Sequence, residues 1–581
     1  MPDPQLLLAA RVQAALSAAF GPSYADTDPV IRPSQFADLQ ANVALPLAKK
    51  LGRRPRDVAE EIVANLDTAG VVSDVQVSGP GFVNLTLSDA WIAAEAQRAL
   101  EDERLAVPAA DKPQKVVVEY SSPNVAKEMH VGHLRTTIVG DAIARILAFL
   151  GHDVVRDNHV GDWGTPFGML IEHLLDLGED AAARGDSSVS DLTEFYQAAR
   201  QKFEGDAEFA DRSRRRVVAL QAGDAETLRL WQVLVDVSKE YFNAVYGRLG
   251  VTLGDDDIKG ESYYNDLLAP TARELEDKGI AVISEGALCA FPPGFTGREG
   301  EPLPVIIRKS DGGYNYSTTD LATIRYRVDT EHVDRMVYVV GAPQSLHFQM
   351  VFAVSRMAGW LNGEVEAEHA QIGNVLGTDG KILRTRAGGT VKLSELLDEA
   401  VERAGAVFDE IQHDEPFDDA TRAAIVRDVG MGAVKYADLS VARDSEYIFD
   451  FDRMISFNGK TGPYLQYAAA RIRSIFRKGG LVPEDATGPI VLGHPAERAL
   501  ALELLGFGAV LKQAGDTAEP HRLASYVYAV ADAYTTFYEN CPVLKAPDEP
   551  TKASRLALCA ATLRTLVTGL DLLGVPTPER M

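Results

Sequence analysis

The sequence predicts an α/β fold: a doubly wound, Rossmann-like parallel sheet with a helical insertion, a small N-terminal α+β domain and a C-terminal all-α helical bundle. Three observations predict it. The apolar run KVVVEY, a helical stretch and the run HDVVRDNHVG follow one another between residues 115 and 161, and this order implies parallel strands with a right-handed crossover. Before about residue 105 the pattern includes an antiparallel hairpin. After about residue 445 the periodicity is almost entirely helical.

The N-terminal domain is predicted to span residues 1–108. A first helix ends at Gly21-Pro22, and PRDVAEEIVANL predicts a second helix with Pro55 in the favoured first turn. VVSDVQVSGPGFVNLTLS alternates on both sides of Gly79-Pro80-Gly81, which predicts a hairpin. The polar segment DERLAVPAADKPQ, residues 102–114, predicts a linker.

The central domain is predicted to span residues 109–444, and its first helix follows KVVVEY. That helix carries an apolar stripe at helical spacing, with Gly151 where a C-terminal cap belongs. The stripe consists of Leu134, Ile138, Ile143, Ile146, Leu147 and Leu150. Residues from roughly 180 to 300 predict a mainly helical insertion that ends in the loop GALCAFPPGFTGREGEP. The sheet pattern then resumes with PVIIRKSDGGYNYSTTDLATIRYR and DRMVYVVGAPQSLHFQMVFAVSRMAGW.

The C-terminal bundle is predicted to span residues 445–581, with one break at LVPEDATGP. A chain of 581 residues is long enough for roughly three or four domains. Its cysteines are Cys289, Cys541 and Cys559, widely separated and without a CxxC pair, which argues against a disulfide framework and against a zinc site. No apolar run approaches the ~18 residues of a membrane span, and the N-terminal segment predicts an amphipathic helix and not a signal peptide. We therefore expect a cytoplasmic protein that does not bind membranes or zinc.

The net charge of −26 excludes a uniform electrostatic attraction to nucleic acid. An RNA-binding function would need local basic patches. Three candidates are residues 380–394, residues 462–480 and the run from Arg212 to Arg216. Each of these is also typical of a solvated helix face.

The segment PNVAKEMHVGH, residues 123–133, lies between the first predicted strand and its helix. Such a turn presents unpaired backbone N–H groups and the positive end of the helix dipole, which favour a phosphate. His130 and His133 add donors, and Gly132 lets a flat base or ribose approach the backbone. These features suit an in-line attack on the α-phosphate of a nucleotide. The alternative is a pair of surface or helix-capping histidines.

HxGH in this position resembles the HIGH signature of class I aminoacyl-tRNA synthetases. The string from Ser121 to Met169 resembles the arginyl-tRNA synthetases specifically, as do TRAGGTVKLSELLDEA and the ending PERM. The resemblance covers essentially the whole chain. It implies an enzyme that uses ATP, with Mg2+ carried by the nucleotide, and L-arginine to form arginyl-adenylate, and then transfers arginine to tRNA-Arg. It also implies a monomer, and activation only with tRNA bound.

In this resemblance His130 and His133 contact the ATP phosphates, with Gly132 under the adenosine. The second class signature, KMSKS, departs from its usual form: the loop at 380–392 has Lys381, Arg384 and Arg386 and lacks the second lysine. In many arginyl members a lysine upstream of the HIGH motif takes its place, and here that residue is Lys127. An exposed loop lysine is the alternative for Lys127.

The resemblance also implies an arginine-binding pocket. Its residues are Glu119, Asn124, Tyr316, Asp320 and Gln344. Glu119 and Asp320 would bind the guanidinium, whose fixed fork of donors requires carboxylates; Tyr316 would pack beside it, and Asn124 and Gln344 would hold the amino-acid backbone. The residues alone leave alternatives: Asp320 as a helix cap and Tyr316 as core. Glu119 ends a buried strand, so we expect a cationic partner for it.

The two outer domains resemble the tRNA-contacting domains of the family. Aromatic and basic residues along the helix from Pro463 suit unstacked bases, and basic residues near Gly52 suit the tRNA backbone. These candidates are Tyr464, Tyr467, Arg471, Arg473, Arg53, Arg54 and Arg56. Core tyrosines and solvated arginines remain the alternative at the first site.

Three other functions are considered. Nucleotidylyltransferases share HxGH but are usually small. A class I synthetase for cysteine would need zinc ligands, and one for glutamate would need cations where Glu119 and Asp320 stand. A non-catalytic tRNA-binding relative would usually have lost catalytic positions, which are filled here except in the KMSKS-like loop.

Overall fold

The computed structural model describes residues 3–178, 190–384, 391–410 and 416–581. For residues 190–193 it describes the backbone only. The predicted fold class is confirmed: a parallel sheet flanked by helices, an N-terminal α+β domain and a helical C-terminal part.

The N-terminal domain packs its helices against a four-stranded antiparallel sheet of order β1-β2-β4-β3. Its elements are α1 Pro4–Phe20, β1 Ile31–Pro33, β2 Leu39–Ala41, α2 Ala44–Leu51, α3 Pro55–Ala64, β3 Val72–Ser78, β4 Phe82–Leu87 and α4 Asp89–Glu101. The predicted hairpin is β3–β4. Gly81 is required at its turn because a Cβ there would lie 2.8 Å from the carbonyl oxygen of Pro55.

The central sheet is fully parallel and has the order β11-β10-β5-β6. Its strands are β5 Lys115–Glu119, β6 Asp153–Asp157, β10 Arg335–Tyr338 and β11 Glu366–His369. The register pairs Glu119 with Tyr338 on one side and with Asp157 on the other. The last residues of three neighbouring strands therefore form one row at the carboxyl edge of the sheet, where doubly wound folds bind ligands.

Helix α5, Val131–Phe149, connects β5 to β6, and Gly151 follows it with a φ of +92°. The predicted apolar stripe is buried, but so are the residues between its members, including Thr137, Val139, Asp141 and Ala142. The expectation of one buried face was incomplete, because helices of the C-terminal half cover the side of α5 that faces away from the sheet. A helix enclosed on all sides need not be amphipathic.

The segment after β6 is mainly helical as predicted, but it ends in an antiparallel sheet of three strands. Its elements are α6 Pro166–Leu177, α7 Ser190–Gly205, α8 Ala207–Gln221, α9 Ala225–Leu249, α10 Asn265–Asp277, β7 Ala281–Ser284, β8 Ala287–Ala290 and β9 Val305–Arg308. Two expectations were wrong. GALCA contains strand β8, and PVIIR contains strand β9, which pairs with β8 and not with the parallel sheet. Glu285 and Gly286 both have positive φ, as a two-residue hairpin turn of type I′ requires.

The remaining elements are α11 Tyr316–Asp329, α12 Ser345–Met357, β12 Val375–Leu376, α13 Leu393–Glu410, α14 Asp419–Leu439, β13 Tyr447–Ile448, α15 Phe451–Met454, α16 Gly462–Gly479, α17 Pro495–Leu504, α18 Phe507–Thr517, α19 His521–Asn540 and α20 Glu549–Leu572. Helix α11 packs against α12 on the face of the sheet opposite to α5, and α14 packs along α13 and α16. Among the described residues no helix is both long enough and apolar enough to cross a lipid bilayer.

Candidate active site

The two histidines of PNVAKEMHVGH begin helix α5. His130 is its N-cap, and its Nδ1 accepts a hydrogen bond from the backbone N–H of Gly132 at 3.0 Å. The backbone N–H of His130 donates to Nδ1 of His133 at 3.1 Å, and the ring centroids lie 4.0 Å apart. Capping and the proposed phosphate contact are therefore compatible, because capping uses only the Nδ1 atoms.

The hydrogen bonds assign a tautomer to each ring. Since Nδ1 accepts in both, a neutral ring carries its proton on Nε2. Burial lowers the pKa of His130, and nearby Lys127 lowers it further. Burial also lowers the pKa of His133 to about 3, with His130 contributing. Near neutral pH the motif thus offers two Nε2–H donors on uncharged rings.

The backbone N–H groups of this turn are engaged within the chain, contrary to the expectation of unpaired amides. Val131 donates to the carbonyl of Val391 at 3.0 Å, Gly132 to His130 Nδ1, and His133 to the carbonyl of His130 at 2.8 Å. The capping imidazole and the loop near residue 391 satisfy donors that a helix N-terminus usually leaves open. The donors that remain for a phosphate are the imidazole side chains.

Gly132 lies at an exposed position in the first turn of α5. A Cβ built there would meet His130, at 2.8 Å from Cε1 and 2.9 Å from Nδ1. A glycine at this position therefore lets the His130 ring fold back to cap the helix. The sequence predicted that Gly132 leaves room for a ligand. In the structure, the side chain nearest to this position is that of His130.

The backbone between β5 and α5 is strained and held from outside. Ser121, Ser122 and Ala126 have positive φ values of 71°, 47° and 59°, which cost energy in residues with a Cβ and often mark functional sites. The N–H of Ala126 donates to Ser238 Oγ at 2.9 Å, and the N–H of Met129 donates to Tyr241 hydroxyl at 2.9 Å. Helix α9 of the predicted insertion thus positions the motif.

The KMSKS-like loop returns to the same place. The N–H of Leu393 donates to the carbonyl of Met129 at 3.0 Å, and Lys392 Nζ lies 2.8 Å from the buried carboxylate of Glu128. Lys381 and Arg384 are exposed; Arg386 lies outside the described residues. On the other side of the motif, Lys127 Nζ lies 4.3 Å from the ring centroid of Tyr196.

The chain matches three family models and a set of named relatives. The family model described as tRNA synthetases class I (R), catalytic domain, matches residues 95–451. The Arginyl tRNA synthetase N terminal domain matches residues 7–87, and the DALR anticodon binding domain matches residues 465–581. A protein named arginine–tRNA ligase from Thermobifida fusca is 65% identical over 581 residues, which covers 100% of both chains. The chain belongs to the arginyl-tRNA synthetases.

Solved structures of this family share the whole fold. The crystal structure of arginyl-tRNA synthetase from Plasmodium falciparum is 28% identical and superposes with a TM-score of 0.84, covering 100% of both chains. That of Thermus thermophilus arginyl-tRNA synthetase is 27% identical with a TM-score of 0.80, covering 99% of this chain and 100% of the other.

The arginine pocket implied by the arginyl-tRNA synthetase family centres on Glu119, which is 5% exposed. The expected cationic partner is present, and it belongs to the chain: Arg327 of α11 donates from Nη2 to Glu119 Oε2 at 2.7 Å. Burial raises the pKa of Glu119, and Arg327 opposes that shift most strongly. The charge of Asp320 also raises the pKa of Glu119, which places both predicted guanidinium ligands in one electrostatic environment.

Asp320 and Tyr316 lie together on the first turns of α11. Asp320 is not a helix cap; Asn315 caps α11, and its side chain accepts from the N–H of Thr318. Asp320 Oδ2 lies 2.5 Å from His347 Nε2 of α12, and the Tyr316 ring packs edge-on against His347. Tyr316 is 63% exposed, so it is not a core residue.

Asn124 and Gln344 are both exposed, on segments that follow β5 and β10. The backbone at Asn124 pairs with that at Gly161, where a Cβ would lie 2.3 Å from Asn124 Oδ1. Gln344 immediately precedes α12. The carboxyl edge of the sheet thus carries both residues near the ends of its central strands.

Sequence reasoning missed several polar residues of this pocket. They are Asp157, His159, Glu261, Arg327 and His347. Burial alone would lower the pKa of His159, but Glu119, Asp157 and Asp320 outweigh it and raise the pKa. Burial raises the pKa of Glu261 to about 7. Asp157 and His159 in HDVVRDNHVG were a usable signal, because they lie at the end of the strand next to KVVVEY.

Glu119, Asp157 and His159 place potential metal-ligand atoms within 4.8 Å of one another. Arg327 Nη2 contacts both carboxylates, at 2.7 and 3.0 Å. A guanidinium already supplies the positive charge that these carboxylates require, so we assign no metal to them.

The candidates for tRNA contact differ in their surroundings. Arg471 lies between the rings of Tyr467 and Tyr538, at 4.8 and 5.4 Å from their centroids. Tyr464 is half-buried, and its hydroxyl lies 3.1 Å from Thr535 Oγ1. Arg473 is bound to the C-terminal segment through Glu579 at 3.2 Å and the carbonyl of Pro578.

The basic residues of the N-terminal domain form ion pairs with their neighbours: Arg53 with Glu61, Arg54 with Asp57 and Arg56 with Glu60. Within the basic run of α8, Arg212 and Arg216 pair with Glu172 of α6. Most of these arginines therefore have local acidic partners.

Proposed function

We propose that this protein is an arginine–tRNA ligase of class I, which activates L-arginine with ATP and transfers it to the 3′-terminal ribose of tRNA-Arg. The observation that carries the proposal is the pair of neutral imidazoles at the start of α5, which accept hydrogen bonds at Nδ1 and therefore carry their protons on Nε2. Fixed, uncharged donors at the carboxyl edge of a parallel sheet suit a nucleotide phosphate. The family membership supports the choice of arginine and tRNA.

In the first step an oxygen of the arginine carboxylate attacks the α-phosphorus of ATP. A new P–O bond forms as the bond to the β-phosphate oxygen breaks, and pyrophosphate leaves. His130 and His133 would donate to phosphoryl oxygens as charge develops on them. Lys127, Lys381, Arg384 and Arg386 would stabilise the leaving pyrophosphate, and Mg2+ would arrive with the nucleotide.

In the second step a ribose hydroxyl of the tRNA terminus attacks the carbonyl carbon of arginyl-adenylate, and AMP leaves. Glu119 and Asp320 would hold the arginine guanidinium, with Tyr316 beside it, while Asn124 and Gln344 would bind its amino-acid backbone. We propose that activation requires bound tRNA and that the protein acts as a cytoplasmic monomer.

The domain assignment 1–108, 109–444 and 445–581 belongs to this proposal, with the two outer domains binding tRNA. Arg471 supports it best, because a guanidinium stacked with aromatic rings suits unstacked bases. Arg473 is 12% exposed and engaged with Glu579, so we rank it below Arg471, together with Tyr464. Arg53 and Arg56 would need to exchange a carboxylate for a phosphate.

The first experiment is ATP–pyrophosphate exchange with each amino acid, with and without total tRNA. We expect exchange only with arginine and tRNA together. Citrulline, a neutral near-isostere, would leave carboxylates without their ligand at a cost of roughly 3–5 kcal/mol, so it should support little exchange. Exchange with citrulline at a rate close to that with arginine contradicts the pocket, and exchange with another amino acid contradicts the function.

The second experiment replaces both imidazoles, as His130→Ala/His133→Ala. The exchange rate should fall by at least about 10²-fold, because the two transition-state donors are lost. His494→Ala is a matched control: His494 caps α17 in the same way, with Nδ1 accepting from the N–H of Ala496 at 3.1 Å. A double variant that folds and charges tRNA like the wild type would contradict the proposal.

A further inference from the structure

Arg327 lies beneath the candidate arginine pocket and makes no contact with the phosphate motif. Its side chain is fully buried beneath α11. Its guanidinium faces the row formed by the last residues of β10, β5 and β6, which are Tyr338, Glu119 and Asp157. The guanidinium carbon lies 5.3 Å from the ring centroid of Tyr338. One arginine thus spans three strand ends.

The contacts of this arginine are unequal. Nη2 donates to Glu119 Oε2 at 2.7 Å, and it lies 3.0 Å from Asp157 Oδ2 without a hydrogen-bonding geometry. Nε and Nη1 are buried and have no hydrogen-bond partner among the described residues; the same holds for His159 Nδ1. Buried guanidinium donors are normally satisfied. A purely structural ion pair would have used more of them.

The hydrogen bond from Arg327 engages Oε2 of Glu119. No other donor among the described residues contacts this carboxylate, so Oε1 remains for a second donor. The positive charge of Arg327 is shared with Asp157, so Arg327 by itself neutralises Glu119 only in part. Without Arg327, two adjacent buried carboxylates would disfavour each other's charged forms. One shared guanidinium therefore keeps Glu119 both oriented and attractive to a further cation.

We propose that Arg327 is a positioning residue that sets the affinity for substrate arginine by orienting Glu119 and limiting its neutralisation. The inference rests on the proposed function, in which Glu119 binds the substrate guanidinium. Arg327 itself touches no substrate. Its effect should appear in the step that binds arginine and not in the binding of ATP.

The test is Arg327→Lys, measured as tRNA charging with separate titrations of arginine and ATP. Lysine keeps the charge, but its ammonium is a rotatable point charge on a flexible chain and does not fix the orientation of Glu119 as a rigid guanidinium does. We expect the KM for arginine to rise about tenfold or more, and the KM for ATP to stay within about twofold. The matched control is Arg325→Lys, two residues away on α11, where Arg325 pairs at 2.6 Å with the partly exposed Glu274; both KM values should stay near those of the wild type.

A double-variant cycle with Glu119→Gln identifies the path of the effect. If Arg327 acts through Glu119, adding Arg327→Lys to Glu119→Gln should raise the KM for arginine by less than about threefold. Additive effects, or equal rises in the two KM values for Arg327→Lys alone, would overturn the inference and leave a structural role.

If Arg327→Lys does not fold, Asp157→Asn replaces it. The charge of Arg327 then falls on Glu119 alone, and the KM for arginine should rise several-fold at constant KM for ATP. An unchanged KM for arginine overturns the inference. Failure of the wild-type protein to charge tRNA with arginine would instead overturn the proposed function.

Discussion

Arg135 and Arg327 are 1% and 0% exposed, and they are used differently. Arg135 of α5 donates to Asp438 at 2.8 Å and to the carbonyls of Gly373 and Ser445 at 2.9 and 2.7 Å. It thereby joins α5 to α14 and to the segments beside β12 and β13. Arg327 donates from Nη2 to Glu119 at 2.7 Å and leaves Nε and Nη1 without a partner among the described residues. The first guanidinium links four segments, whereas the second lies at the row of strand ends.

The number of hydrogen bonds distinguishes a buried arginine that stabilises the fold, Arg135, from one that lies at the candidate site, Arg327. A buried charge is costly unless its hydrogen bonds are satisfied. Arg135 meets that cost with three hydrogen bonds, although its Nη2 lacks a partner among the described residues. Arg327 leaves Nε and Nη1 without a partner among the described residues, next to Glu119, the carboxylate that we assign to the substrate. The unpaired donors of Arg327 thus lie at the carboxyl edge of the sheet, where we expect the ligand to bind.

The largest expected effect on stability is that of Arg135→Met. It leaves Asp438, which is fully buried, without its cation and leaves two carbonyls without a donor. We expect the free energy of unfolding to fall by about 3–5 kcal/mol, measured by urea denaturation. Adding Asp438→Leu should restore part of that loss, since the uncompensated charge is then removed. If Arg135→Met alone were as stable as the wild type, Arg135 would not have the structural role that distinguishes it from Arg327.

Lysine at each of the two positions gives a matched pair of variants. Arg135→Lys loses two or more of the hydrogen bonds that the charged guanidinium donates, and a hydrogen bond that involves a charged group is worth about 1.5–3 kcal/mol. Arg327→Lys loses at most one, so its unfolding free energy should fall by about half as much or less. Equal losses in urea denaturation would show that the two arginines have the same structural role.

The pH dependence of stability tests whether the imidazole of His133 is buried in its neutral form. The pKa of buried His133 is lowered to about 3, whereas an unfolded histidine titrates near 6.5. Between these values the unfolded chain binds more protons, so stability falls as the pH decreases, by up to about 1.4 kcal/mol per pH unit.

His133→Asn keeps an acceptor beside the N–H of His130 but does not titrate. Its urea-derived stability should therefore decline less steeply than that of the wild type from pH 6 to pH 4. Parallel curves for the two proteins would contradict the burial of a neutral imidazole at this site.

The smallest effect on stability is expected for Gly132→Ala. Alanine favours a helix by up to about 1 kcal/mol, which offsets the contact of its Cβ with the His130 ring. The displaced ring should lower pyrophosphate exchange by about 10²-fold. A folded variant with unchanged exchange would show that the position of the His130 ring does not matter.

The local patterns were sufficient for much of the fold. KVVVEY, its helix and HDVVRDNHVG were predicted as a parallel unit, and Gly79-Pro80-Gly81 as a hairpin, because turn residues and periodicity are local properties. The pattern failed where a strand had to be assigned to one of two sheets. PVIIR has the composition of a central strand, yet it pairs with β8, the strand before it in the chain, and composition does not decide between the two sheets.

The candidate site shows the same division. His130 and His133 were recognised because HxGH follows a strand and starts a helix. Their backbone neighbours were not, since the N–H of Val131 is engaged by a carbonyl from the far end of the KMSKS-like loop. The expected cation beside Glu119 was correct in kind, but its source was missed, because Arg327 lies 208 residues further along the chain.

The sequence by itself determined the class of the fold, the HxGH motif and the resemblance to the arginyl-tRNA synthetases, because these depend on residues close together in the chain. The tertiary structure alone decided which charges meet. Arg135 and Asp438 are separated by 303 residues, and Arg327 meets two carboxylates only because strand register aligns Glu119 with Asp157. Register and helix packing are collective results of the whole core, so no local pattern in the sequence contains them.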